Sequence, residues 1–163
     1  MTPDTETDAF LSAMRQMAST VNIVTTLAGP DQVYRGLTAT AFCSVTAAPP
    51  SVLVCVNKSA GTHDAIFDSG VFCVNVLSAQ QRDIALLFSS AANPRQRFET
   101  GRWSQRISGA PVLEGCVANF DCTVMDSVSA STHTIFIGKA VYTAEDPGRS
   151  PLIYCNREFS SLA

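Results

Sequence analysis

Two stretches of this sequence carry side chains suited to holding a flat, phosphorylated molecule. In Tyr34-Arg35-Gly36-Leu37-Thr38-Ala39-Thr40-Ala41-Phe42-Cys43-Ser44, hydroxyl and alanine side chains alternate with bulkier ones. Small side chains let a ring approach the backbone, and Thr38 and Thr40 can donate hydrogen bonds to ring oxygens or a phosphate. The spacing alone fits an ordinary threonine-rich strand better. In Cys55-Val56-Asn57-Lys58-Ser59-Ala60-Gly61-Thr62-His63, a strand runs into a helix start. Exposed N–H groups there, together with Lys58, Ser59 and Thr62, would suit a phosphate; a capped turn without a ligand is an equal reading. His133 opens the apolar run Thr134-Ile135-Phe136-Ile137-Gly138. A histidine so placed is more often a hydrogen-bonded core or interface residue, and becomes a catalytic candidate only if a ligand lies beside it.

Other chemistries find little to build on. No two glycines are separated by one residue, so GxGxxG is absent, as are GxxxxGK[ST], GxSxG and HExxH. His63 and His133 are the two histidines. Cys43, Cys55, Cys73, Cys116, Cys122 and Cys155 form no CxxC pair and have no histidine at ligand spacing, so no metal site is expected. All six read as reduced, mostly buried thiols, with Cys116 and Cys122 too far apart for a disulfide if they share a strand. Redox chemistry carried by a cofactor asks less of the protein.

The elements that would position these residues read as mainly β. Phe10, Leu11, Met14, Met17 and Ala18 recur at helical spacing behind Thr7 and Asp8, predicting an amphipathic helix capped there and packed on the core. Val21 to Leu27 and a long extended stretch from Val33 to Val45 flank a turn at Gly29-Pro30-Asp31. Pro49-Pro50 breaks that stretch before a strand from Ser51 to Val56. A short helix from Thr62 to Asp68, a strand from Val71 to Leu77, and a capping box at Ser78–Gln81 opening a helix to about Ser90 follow. Residues 93–109 read as an irregular excursion. Strands from Cys116 to Val124, Thr134 to Tyr142 and Leu152 to Cys155 complete about seven, with a turn from Ser127 to Ser131. Many short strands with few helices favour an antiparallel barrel or sandwich.

Composition sets the class. The 163 residues fit one domain, 1–163, and 46% hydrophobic against 15% charged residues argues against disorder and leaves apolar surface for a subunit interface. A net charge of −3 with scattered arginines gives no footprint for nucleic acid. The acidic N-terminus lacks an export signal, and no apolar run approaches the roughly 20 residues that span a bilayer, so no membrane partner and a cytoplasmic location are expected.

Taken together, GLTATAFCSVTAAPPSVLVCVN at 36–57, GVFCVNVLSAQQRDIALLF at 70–88, HTIFIGKAVY at 133–142 and PLIYCNREF at 151–159 resemble the short-chain flavin reductases, in an order that covers nearly the whole chain. That family includes the reductase components of two-component monooxygenases and a corrin reductase of cobalamin synthesis. The resemblance implies a split antiparallel β-barrel with a few flanking helices, forming a homodimer. It implies non-covalent FMN or FAD, NADH or NADPH as co-substrate, and a partner monooxygenase that receives reduced flavin. It places the flavin against Thr38, Ala39, Thr40 and Ala41, against Cys55, Val56, Asn57, Lys58 and Ser59, and near Thr62. Asn75 and Phe88 match family positions close by, and His133 matches the histidine beside the nicotinamide. Many relatives carry Gly-Asp before that histidine, where this chain has Ser131-Thr132. Reduction of a cobalt(II) corrin, or flavin binding without catalysis, are the alternative functions.

Overall fold

The computed structural model describes residues 5–90 and 94–162. The chain opens with helix α1 (Thr5–Arg15), whose Glu6 and Asp8 in the first turn and Arg15 in the last complement the helix dipole. Thr7 and Asp8, expected as caps, lie inside this helix. Strands β1 (Ser19–Thr20), β2 (Asn22–Ala28), β3 (Val33–Ala39), β4 (Phe42–Ala47) and β5 (Pro50–Asn57) follow, then helix α2 (Gly61–Ser69) and strand β6 (Val71–Val76). A 3-10 turn (Ala79–Gln81) leads into α3 (Arg82–Ser89), α4 (Pro94–Arg97), β7 (Trp103–Gln105) and β8 (Pro111–Leu113). Two 13-residue strands, β9 (Ala118–Ala130) and β10 (His133–Glu145), precede β11 (Leu152–Cys155) and β12 (Glu158–Ser161).

Seven strands form one antiparallel sheet in the order β3-β2-β6-β9-β10-β5-β4. The end strands β3 and β4 are consecutive in sequence, so the sheet curls until its ends are joined by Thr40 and Ala41 without pairing as a ladder. That unpaired seam is the split in the barrel. Inside lie Val24, Val54, Val56, Ile66, Phe72, Val74 and Phe136. A Cβ at Gly138 would collide with the Phe72 ring and come within 2.9 Å of Cys122 Cβ, so β10 needs a residue without a side chain there. A second apolar cluster, with Val21, Ile23, Leu77, Ile84, Ala85 and Phe88, seats α3 against the barrel.

Several local expectations are revised. The extended stretch 33–45 is two strands, because Phe42 N–H donates to Thr40 O at 2.9 Å and turns the chain sharply. Ser127 to Ser131 is not a turn: β9 runs through Ala130, paired with β10 from Ala118↔Glu145 to Ala130↔His133, and the reversal falls at Ser131 and Thr132. Cys116 lies before β9 rather than within it, and all six cysteines are free. The excursion carries structure, since β7 pairs with β8 through Trp103↔Leu113. The expected capping box makes its glutamine half: Ser78 N–H donates to Gln81 Oε1 at 3.0 Å. The stripe of α1 does not pack on the core of its own chain: Phe10 and Met14 are 63% and 45% exposed, and Met17 falls beyond the helix end.

Candidate active site

A cavity of about 390 Å³ opens at the seam. One wall is Thr38 to Ala41 and another is Cys55 and Asn57, with His133 at the mouth and Phe88 beneath. The two-residue period of β5 explains the choice: Cys55 and Asn57 face outward while Val54 and Val56 are buried in the barrel. Cys55 N–H donates to Ala41 O at 3.1 Å, fixing the link to the neighbouring strand. Thr38 Oγ1 donates to Ala85 O at 2.7 Å, which ties β3 to α3. The proton expected for a ligand is thus taken by the helix, whereas the exposed Thr40 hydroxyl has no hydrogen bond among the described residues.

Phe88 is buried yet lines the cavity, and packs edge-on to Phe98 with centroids 5.1 Å apart. Above it Gly36 has no side chain, and Arg97 Nη1 donates to Gly36 O at 3.0 Å. Burial lowers the Arg97 pKa. Across the mouth, His133 pairs with Asn57 in the β10–β5 register. His133 is exposed, its Nδ1 2.9 Å from Thr132 Oγ1.

The turn at 57–60 is organised by Asn57, whose Oδ1 accepts from Ser59 N–H at 2.9 Å and Ser59 Oγ at 2.8 Å. Lys58 Nζ donates to Ser129 Oγ at 2.7 Å. The N–H groups of Lys58, Ala60 and His63 are bonded to Thr132 O, Asn57 O and Ala60 O. Those of Gly61 and Thr62 take no partner among the described residues, leaving two donors at the start of α2. Behind them, buried His63 has Nε2 2.8 Å from Thr134 Oγ1 and Nδ1 2.7 Å from Asp64 Oδ1.

Of the residues named from the sequence, Thr38, Ala39, Thr40, Ala41, Cys55, Asn57, Phe88 and His133 line this one cavity. Lys58 and Ser59, between the lining residues Asn57 and Ala60, are exposed and do not line it. The Val56 side chain turns into the barrel, and the Thr62 side chain is buried in α2. Asn75 lies elsewhere: fully buried on β6, it accepts from Leu113 N–H and Asn119 Nδ2, both at 2.8 Å, and donates to Ile23 O at 3.0 Å. It joins β8 to the barrel. Leu37, Ala60 and Ser89 also line the cavity. Leu37 and Ala60 fall in the stretches singled out by pattern, but Ser89 follows Phe88 at a helix end and carries no distinctive signal.

Four of the six thiols, Cys55, Cys73, Cys116 and Cys122, are poorly suited to nucleophilic chemistry. Burial pushes Cys116 and Cys122 up to about 12 and Cys73 well above its ordinary value. Cys55 is raised by burial and by its neighbour Cys43. Among the described residues no cluster of histidine, cysteine and carboxylate side chains could hold a metal ion, and no helix is long and apolar enough to cross a membrane.

A split antiparallel barrel whose seam offers small side chains, a buried aromatic floor and an edge histidine is a scaffold for presenting a flat redox cofactor to a second molecule. Residues 14–163 match the flavin reductase like domain, and the chain belongs to that family of oxidoreductases. It is 41% identical over 154 residues to the FMN reductase (NADH) RutF of Pseudomonas syringae pv. syringae, covering 94% of this chain and 85% of that protein. The NADH:FAD oxidoreductase SgcE6 of Streptomyces globisporus superposes with a TM-score of 0.89 at 29% identity, over 100% of this chain and 97% of that one. A homologue of nitrilotriacetate monooxygenase component B from Mycobacterium thermoresistibile does so with the same TM-score and identity, over 98% and 88%.

Proposed function

We propose that this chain is an NADH-dependent reductase of a non-covalently held flavin, FMN before FAD, which releases reduced flavin to a partner oxygenase. The observation that carries the reading is the convergence of Thr38 to Ala41, Cys55, Asn57, Phe88 and His133, from four separate segments, on one cavity. Small side chains at the seam admit an isoalloxazine ring against the backbone. The two unbonded N–H groups of Gly61 and Thr62, with Ser59 and Lys58 nearby, supply donors for a flavin phosphate.

When bound, the flavin accepts a hydride directly from the nicotinamide, so no protein acid is obligatory. The protein's work is positioning. Phe88 and the Thr38–Ala85 bond fix the floor, Asn57 shapes the phosphate turn, and His133 stands where a nicotinamide would enter over the ring. The similarity to the RutF protein favours FMN and NADH, and the similarity to a monooxygenase component supports the oxygenase as acceptor.

The chain acts as one domain over residues 1–163, in the cytoplasm, as a homodimer. The exposed α1 stripe, with Phe10, Leu11 and Met14, together with Met17 just beyond the helix, is the surface a second copy would cover. Obligate dimers commonly bury about 2,000 Å² or more. Light scattering at micromolar concentration should give the mass of two chains; a monomer overturns the dimer.

Steady-state oxidation of NADH and NADPH, each with FMN, FAD and riboflavin, tests the function. NADH with FMN should give the highest kcat/KM. Flavin binding without oxidation of either coenzyme would leave a flavin-binding protein, and preferential anaerobic reduction of a cobalt(II) corrin would move the acceptor from oxygenase to corrin.

A further inference from the structure

Helix α2 begins without the usual device for holding a helix end. Ala60 occupies its N-cap, extended at φ −76° and ψ 132°, and has no side-chain oxygen to accept from the first turn. The Gly61 and Thr62 N–H groups are left without partners among the described residues. A Cβ on Gly61 would meet nothing within 4 Å, so the space beside these donors is open. A helix end with free donors and no cap frays unless another contact holds it.

That contact is His63, the third residue of the helix. Its buried ring has Nε2 2.8 Å from Thr134 Oγ1 on β10 and Nδ1 2.7 Å from Asp64 Oδ1, and packs on Phe136 with centroids 5.5 Å apart. A carboxylate only accepts, so the Nδ1 proton points to Asp64 and Nε2 accepts from the Thr134 hydroxyl. Carboxylate, imidazole and hydroxyl follow the order of an acyl-transfer triad, but Thr134 is 5% exposed and closed to any substrate. The array therefore positions rather than attacks. It fastens the first turn of α2 to the strand on which the preceding residue, His133, lines the cavity.

We infer that His63 is a positioning residue for the flavin phosphate: by locking the first turn of α2 to β10 through Thr134, it aims the Gly61 and Thr62 N–H groups at that phosphate. The inference rests on the flavin reductase reading above. An anchor one residue beyond Thr62 fixes the direction of the donors without touching the ligand. The phosphate then meets donors already oriented, and less freedom is lost on binding.

Three variants of the full-length protein test it. His63→Phe keeps a ring against Phe136 and removes both hydrogen bonds, Thr134→Val removes the hydroxyl with little change of shape, and His63→Gln returns an amide near the position of Nε2. Fluorescence titration with FMN, and with riboflavin, which lacks the phosphate, should show the Kd for FMN raised roughly 10-fold in the first two variants and restored toward the wild type in His63→Gln. The Kd for riboflavin should be unchanged in all three. A residue that only supports the fold would lower the melting temperature and leave the ratio of the two Kd values alone. The positioning role is overturned if His63→Phe and Thr134→Val, folded by their melting curves, keep the wild-type ratio; if His63→Phe does not fold, Thr134→Val decides by the same ratio. It is equally overturned if His63→Gln loses as much FMN affinity as His63→Phe. A wild type that binds FMN no more tightly than riboflavin would instead remove the phosphate from α2, and one that oxidises no NADH with FMN would overturn the reductase reading.

Discussion

A Cβ placed on Gly36 would stand 2.8 Å from Cε1 of Phe88 and 3.2 Å from the carbonyl oxygen of Val24. Phe88 therefore reaches the cavity floor only because β3 has no side chain at that point. Gly36→Ala forces the ring away from the strand, and the Val24 carbonyl limits how far the strand itself can retreat. Overpacking of this kind costs about 1 to 3 kcal/mol. For a chain of this length, a melting temperature lower by about 2 to 10 °C is expected, together with a raised Kd for FMN. Differential scanning calorimetry and flavin fluorescence titration check both; wild-type values for the two would show that the floor repacks freely.

Asn75 separates fold from site. Its Oδ1 serves the Leu113 N–H and the Asn119 amide in a region closed to water. Asn75→Ala leaves the Leu113 N–H buried and unpaired, at a cost of about 1 to 3 kcal/mol, while the Asn119 amide keeps its bond to Leu113 O at 3.1 Å. The variant should melt well below the wild type while its folded fraction binds FMN with unchanged Kd. A selective loss of flavin affinity at unchanged stability would return Asn75 to the binding site.

How legible each feature was depended on how far away its cause lay. The strands at 21–27, 51–56 and 71–77 were readable because β-branched runs between turn signals need only local information. So was the 78–81 turn, where Gln81 acts on a residue three positions away. The role of Asn75 was not, because its partners come from positions 23, 113 and 119 and nothing nearby reports them. The strand at 127–130 was missed since serine-rich sequence reads as turn, while its pairing to 133–137 is imposed by the long β9–β10 hairpin. Helical spacing gives α1 an apolar stripe but not its exposure on this chain. At the site, pattern singled out the 34–44 and 55–63 stretches. Only the curl of the sheet brings Thr38, Cys55, Phe88 and His133 to one cavity.

The turn after β5 yields a test for the phosphate. Ser59 is exposed, and among the described residues its hydroxyl bonds only within the turn, to Asn57 Oδ1. Thr62 is a poorer probe because its side chain is buried. If Ser59 donates to the flavin phosphate, Ser59→Ala loses a hydrogen bond to a charged group, about 1.5 to 3 kcal/mol, and the Kd for FMN rises roughly 10- to 100-fold. Riboflavin, which lacks the phosphate, should bind both proteins equally. A parallel loss for FMN and riboflavin would mean that the turn positions the ring instead.

His133 offers the sharpest separation of catalysis from structure. Its side chain is exposed at the mouth of the cavity, while the next residue, Thr134, points inward to His63. Among the described residues the imidazole bonds only to the neighbouring Thr132 Oγ1, so His133→Ala should change stability by no more than a surface substitution does, about 0.5 kcal/mol. If the ring flanks the nicotinamide, its loss costs positioning in the reactive complex. About 1.4 to 2.7 kcal/mol would lower kcat/KM for NADH roughly 10- to 100-fold. Flavin affinity should change little, and activity should persist because hydride transfer needs no proton from this residue. Stopped-flow reduction of pre-bound FMN across a range of NADH concentrations divides the effect between binding and the rate at saturation. Asn57, opposite His133 in the register, should give a different pattern when replaced by alanine, raising the Kd for FMN through the loosened turn. Wild-type reduction kinetics in the histidine variant would remove His133 from the site.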